Sequence, residues 1–217
     1  FTDAHASSAV CTPSRYSVLT GRYCWRTRRK RGVGGGFSLP LIDPARTTVA
    51  SLLHDHGYAT AAVGKWHVGL EWGLKDDYLR QDHGRVDYAD PHLFDSERGW
   101  EDPGCIDYEK SIVGGPTDLG FDYFFGIAGS LDMPPYCFIE DDRTVGIPCV
   151  EKDPYHAQQE KGLMTPGWKD NQVDVRFAEQ AVAFIERCHA EHPEQPFFLY
   201  LTPSAPHRPC IPPAFLE

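Results

Sequence analysis

A cysteine followed at once by Thr-Pro-Ser-Arg, at 11–15, is the first place where residue types and spacing suggest chemistry. Pro13 suits the first turn of a helix, because its missing N–H is not needed there and its φ is already helical. Tyr16, Val18 and Leu19 are then expected to face a core, and Gly21 to end the short helix. Cys11 is expected just outside the helix N-terminus, where unpaired N–H groups and the dipole favour an anion. A thiol so placed has a depressed pKa and stands well for attack on a tetrahedral oxyanion. Arg15, one turn in, adds a fixed fork of donors suited to sulfate or phosphate. The plainer alternative for Cys11 is a buried structural cysteine.

Lys65 and His67, in "GKWH", and His207, in "SAPHRP", join this set only if the fold brings their loops together. The elements that would do so share one plan. In 45–69, Thr47 or Thr48 can cap a helix whose apolar face is Val49, Leu52 and Leu53, and Gly57 supplies a left-handed stop. The strand "YATAAV" follows, and Gly64 is expected to open the loop holding Lys65 and His67. In 171–207, Val173, Phe177, Ala181, Phe184, Ile185 and Cys188 fall at helical spacing, and Pro193 ends the run. The all-apolar "FFLYL" then reads as a fully buried strand leading to the loop of His207. Helix followed by strand, repeated, predicts an α/β sandwich. Ligands bind such sheets beyond the carboxyl ends of the strands, where both loops place a histidine. The segment 70–170 reads as long connections with short elements, "GFDYFFGI" being a turn and a strand.

The formal charge of −10 argues against a nucleic-acid partner, because phosphate contacts demand surplus Lys and Arg. The basic run at 26–31 is short and reads as a solvated loop. No apolar run reaches the roughly 20 residues needed to span a bilayer. The seven cysteines (11, 24, 105, 137, 149, 188, 210) form no C-x-x-C pair, and the odd number leaves at least one thiol unpaired. The chain lacks an initiator Met and stops after a Pro-rich loop, so it is expected to be a piece of a longer protein.

"CTPSRYSVLTGRY" resembles the first signature of the formylglycine-dependent sulfatases, in which C-x-P-S-R and then L-T-G-R surround a cysteine that is enzymatically oxidised. "GYATAAVGKWHVG" resembles the family's second signature, and "FFLYLTPSAPHRP" its later strand and histidine loop. "GFDYFFGIAGSLDMPPY" is similar to the segment that brings a serine near the sulfate. The resemblance runs from residue 1 to about 213, more loosely over 70–115 and 140–170. It implies a three-layer α/β sandwich of the alkaline-phosphatase-like type, with a central, mostly parallel mixed sheet flanked by helices. Residues 1–217 would be part of a single catalytic domain, lacking its first strand and its C-terminal portion.

The resemblance also implies roles. Cys11 would be the formylglycine precursor, its hydrated aldehyde giving the nucleophile for hydrolysis of a sulfate ester through a covalent sulfated intermediate. Arg15 would hold the formylglycine hydroxyls, Lys65 would bind sulfate oxygen, and His67 would be the base that expels sulfate. His207 would hydrogen-bond the sulfate and assist departure of the alcohol. Ser130 would contact the sulfate, with Asp132 supporting it. A calcium ion is implied as Lewis acid, bound through oxygen ligands. Cys11, as formylglycine, is the one metal ligand named here: the family's paired aspartates fall upstream of Phe1, and its Asp-Asn or Asp-His pair and second lysine fall beyond Glu217. The piece alone is therefore expected neither to bind metal well nor to turn over substrate. The implied partners are a sulfated small molecule or glycan and a formylglycine-generating or anaerobic maturation enzyme, with a periplasmic or secreted location. Trp66, Trp72, Tyr78 and Trp100 are available to stack on sugar rings, or to pack in the core. Two alternatives stand beside the sulfatase: a phosphonate or phosphate ester hydrolase of the same superfamily, and a non-catalytic binding homologue.

Overall fold

The computed structural model describes residues 2–76, 103–155, 157–213 and 215. Its central element is β1, Ala59–Lys65, which pairs in parallel with β2, Tyr123–Ile127, on one side and with β7, Phe197–Thr202, on the other. Two short strands, β3 (Ile139–Glu140) and β4 (Arg143–Thr144), continue the sheet beyond β2 as an antiparallel hairpin, giving the order β4-β3-β2-β1-β7. A separate antiparallel pair joins β5, Val150–Lys152, to β6, Gly162–Met164.

Alternation along the strands feeds two cores. Ala62 and Phe124 point into one, with Tyr16 and Leu19 of α1 (Cys11–Thr20) and Ala50 of α2 (Val49–Asp55). Their neighbours Val63 and Phe125 point to the opposite face and pack on Val173, Phe177 and Ala181 of α3, Val173–Glu191. Successive side chains of a strand face opposite ways, so one register fills both layers. The result is the expected three-layer α/β sandwich with a mixed sheet. Each Val or Phe side chain buried this way contributes roughly 1.5–3 kcal/mol.

The helix ends follow local chemistry. Thr48 is the cap of α2: its Oγ1 accepts from Ser51 N at 3.0 Å, while Ser51 Oγ accepts from Thr48 N at 2.9 Å. Gly21 closes α1 in the left-handed region, and Gly57 beyond α2 has φ 85°. In α3, Val173, Phe177, Ala181 and Phe184 are buried as their spacing requires.

Several expectations are corrected. Val18 and Leu52 are exposed (61% and 49%), because α1 and α2 turn Tyr16, Leu19 and Ala50 inward instead. Ile185 is exposed on the flank of α3. β1 does not end at Gly64 but runs through it to Lys65, because Gly64 lets the chains close up: a Cβ there would lie 2.1 Å from the Thr202 carbonyl oxygen. β7 is not fully buried. It is the last strand of the described sheet, paired on one side only, and Phe197 and Leu201 are exposed. All seven cysteines are free thiols.

Candidate active site

The carboxyl end of β1 delivers Lys65 directly and His67 two residues later. α1 starts opposite it, with Cys11 as its first residue rather than one outside it. The helix start has no side-chain cap, and Pro13 contributes no N–H. Thr12 ties the two elements together: its hydroxyl donates to the His67 carbonyl at 2.9 Å and accepts from Gly34 N at 3.1 Å. Arg15, one turn on, donates to the Lys65 carbonyl and hydrogen-bonds the Tyr200 side chain of β7.

These contacts put two cations beside Cys11. Lys65 is buried and hydrogen-bonds the Cys11 side chain. Burial lowers its pKa to about 8; Cys11 and Asp132 oppose that shift and Arg15 adds to it. Burial also lowers the Arg15 pKa, against the opposing pull of Tyr200 and Cys11. An arginine remains protonated through any such change in ordinary buffers.

His67 is a neutral imidazole of defined tautomer. Its Nε2 lies 2.7 Å from the Gly34 carbonyl, which can only accept, so Nε2 carries the proton and Nδ1 the lone pair. Nδ1 is buried without a hydrogen-bond partner among the described residues. Burial is the main cause that drives the His67 pKa down to about 3; the charges of Lys65, Arg15 and His207 add to it, and the Gly34 bond opposes it.

His207 arrives on the loop after β7. Its Nδ1 is 2.7 Å from the Arg208 carbonyl and 3.1 Å from Ser130 Oγ, on the loop after β2. With Nδ1–H committed to that carbonyl, Nε2 is the ring nitrogen left for a ligand. Asp132 does not bond Ser130; its Oδ1 is buried without a partner among the described residues, near enough to Lys65 to act on its charge.

The structure thus gathers Cys11, Arg15, Lys65 and His67 at one strand end and joins Ser130 to His207 beside them, close enough for His207 to act on His67. Sequence reading missed Thr12, Gly34 and Tyr200. The alternation of "FFLYL" marks Tyr200 as facing one side of the sheet, but nothing in the sequence says that Arg15 meets it. Of the two readings of Trp66 and Trp72, core packing holds: both are buried, and their indole N–H groups donate to Gly69 O and Gly36 O at 3.0 and 2.9 Å. Tyr78 and Trp100 lie outside the described residues. The described residues also include no group of three or more His, Cys, Asp or Glu able to hold a metal ion. Hard-cation sites take six to eight oxygen ligands, so this donor set does not by itself fit calcium.

Comparison with known proteins fits this geometry. The family model described as Sulfatase matches residues 1–216. The chain is 31% identical over 248 residues to an N-acetylgalactosamine-6-O-sulfatase of Bacteroides thetaiotaomicron, covering 98% of this chain and 42% of that protein. It is 28% identical to mouse arylsulfatase G, covering 96% of this chain and 34% of the relative. A solved structure from work on metabolism of multiple glycosaminoglycans by Bacteroides thetaiotaomicron superposes with a TM-score of 0.68 at 27% identity, over 97% of this chain and 44% of that one. A Pseudoalteromonas sulfatase shares the fold at TM-score 0.55 and 18% identity, over 97% and 37%. The chain therefore spans less than half the length of these relatives.

Proposed function

Starting from the fact that this chain belongs to the sulfatase family, we propose that it carries the nucleophile end of an active site that hydrolyses sulfate esters of carbohydrates. The observation that supports this best is the charge at Cys11. Lys65 is buried there and Arg15 half-buried, yet neither is in salt-bridge contact with a carboxylate among the described residues; Arg15 is held by a carbonyl and a phenol. Two desolvated positive charges kept free of acidic partners are matched by a dianionic or monoanionic tetrahedral group.

Formylglycine derived from Cys11 would supply a hydrated aldehyde, whose one hydroxyl attacks sulfur and whose second opens an exit by C–O cleavage. The rest is work for this chain's own side chains. Arg15 and Lys65 balance the charge at position 11 and on the sulfate oxygens. His67, neutral and with a free Nδ1 lone pair, is fitted to take a proton from a hydroxyl at position 11, since a base that is already protonated could not. His207, held at Nδ1 by the Arg208 carbonyl and Ser130, turns Nε2 to the departing alcohol and would pass it a proton from that nitrogen. The described residues do not by themselves complete a calcium site; a calcium ion held by the whole protein would supply Lewis-acid polarisation of the sulfate. Its remaining ligands, the periplasmic or secreted location and the maturation enzyme are proposed for the whole protein on the family resemblance. A carbohydrate substrate is favoured because the 31%-identical relative is named for a sulfated amino sugar.

The test is to co-express the full-length parent with a maturation enzyme, read position 11 by peptide mass spectrometry, and assay sulfated mono- and oligosaccharides beside an aryl sulfate and an aryl phosphonate. Aldehyde at position 11 with sulfate release lost in Cys11→Ala is the expected result. Unconverted cysteine, or a preference for the phosphonate, overturns it.

A further inference from the structure

We propose that Asp174 is the positioning residue for His207, fixing the loop that aims its imidazole at the leaving alcohol. Asp174 lies in the first turn of α3. Its Oδ1 accepts from Ser204 N at 2.7 Å and from Ser204 Oγ at 2.8 Å, and its Oδ2 accepts from Ala205 N at 2.9 Å. Pro203 and Pro206 have no N–H, so this one carboxylate takes every backbone donor that residues 203–206 possess. Ser204 is buried, and its carbonyl in turn accepts from His207 N at 3.1 Å. The path from Asp174 to the imidazole is thus one charge-assisted cluster and one turn.

The anchor is rigid at its other end. Val173 and Phe177, flanking Asp174 on α3, are buried against Val63, Phe125 and Ile127 of the sheet. A second tie reaches the partner of His207 from the same helix end. Asp170, just before α3, pairs with Lys152 at 2.9 Å and accepts from Gln159 Nε2 at 3.2 Å, and Gln159 Nε2 donates to the Leu131 carbonyl beside Ser130 at 2.6 Å. Both halves of the Ser130–His207 contact are therefore referenced to the start of α3. A group that must meet an ester oxygen within hydrogen-bond reach gains from such fixing, since misplacement of about 1 Å can lose 10²-fold in rate.

The inference rests on the proposed role of His207, and the experiment separates the two. In the matured full-length parent, kcat/KM is measured for wild type, Asp174→Asn, His207→Ala and the double variant, across sulfate esters with leaving groups from good to poor. Asparagine keeps the shape but has one acceptor oxygen for three donors. Asp174→Asn is expected to leave the best leaving groups nearly unchanged and to lose about 10–10²-fold on the poorest, part of what acid catalysis supplies. In the His207→Ala background it should cost nothing further. An equal loss in both backgrounds, or a loss uniform across leaving groups, overturns the positioning role. If His207→Ala itself shows no leaving-group dependence, the acid role of His207 falls, while the double variant still decides the positioning. Should Asp174→Asn not fold, Asp174→Glu takes its place: a carboxylate moved by one methylene should give a smaller, leaving-group-dependent loss, and a uniform one again overturns the proposal.

Discussion

Protonating His67 should loosen the fold, and the size of the effect can be worked out. The imidazole is 1% exposed, hydrogen-bonded through Nε2 to Gly34, and lowered in pKa from 6.5 to about 3, chiefly by burial. In the unfolded chain the same ring titrates at its ordinary value, so between about pH 6.5 and pH 3 the unfolded state binds more protons. Stability therefore rises with pH across that window: the contribution of neutral His67 is fully present above 6.5 and is lost as the pH falls toward 3. A 3.5-unit difference at 1.36 kcal/mol per unit sets an upper limit of about 5 kcal/mol. From the same two values, the loss between pH 7 and pH 5 is about 2 kcal/mol. The assay is urea unfolding of the full-length parent at pH 7, 6 and 5, for wild type and for His67→Gln, whose amide can still donate to Gly34 without titrating. The difference between the two proteins isolates this ring, because other titrating groups are common to both. Wild type should lose about 2 kcal/mol more than the variant on going to pH 5. Equal losses would refute the reading that burial holds the ring neutral.

Two further outcomes follow from contacts that hold the strand and loops carrying the site. Lys152→Met strands Asp170, whose carboxylate is 8% exposed, and should cost about 3–5 kcal/mol in urea unfolding; adding Asp170→Asn should recover part of this by removing the stranded charge while keeping an acceptor for Trp168 Nε1, and a single-variant loss below about 1 kcal/mol would contradict a buried pair. Gly64→Ala would force a Cβ to within 2.1 Å of Thr202 O at φ 122°, where strain alone contributes about 1–3 kcal/mol before the clash is counted, so soluble yield and melting temperature should fall sharply, whereas Gly115→Ala, meeting only a Leu70 methyl at 3.3 Å, should be tolerated.

The parts legible in the sequence were those set by local chemistry. Pro13 and Gly21 bracket α1, and the apolar spacing from Val173 to Phe184 gives α3 and its buried face. Residue type could not say which neighbours a strand has: "FFLYL" reads the same whether β7 is covered on both sides or, as here, paired on one. Nor could it separate an aromatic that stacks on a ligand from one that packs, and Trp66 and Trp72 pack. Val18 and Leu19 are adjacent apolar residues, and only the position of the sheet decides that Leu19 is the buried one. Asp174 is hidden for another reason. In sequence it is an acidic residue in a helix's first turn, fully accounted for by the helix dipole, and its three donors lie 30 residues away in a loop.

The same physics explains why the protein tolerates so costly a site. Arg15 and Lys65 are desolvated beside each other in a chain of net charge −10, yet no carboxylate among the described residues pairs with either, while Asp174 is taken up by the Ser204 turn and Asp170 by Lys152. A carboxylate placed against Lys65 or Arg15 would relieve their burial and fill the position an anion must take. Carbonyl and phenol oxygens hold Arg15 by its geometry while leaving most of its charge unbalanced. Asp132, with one oxygen buried and unbonded near Lys65, acts on the lysine without closing a pair. Burial then makes each cation's pull on a bound anion stronger than it would be in water. The burial that lowers the Lys65 pKa is therefore also what would strengthen its attraction for a tetrahedral anion at position 11.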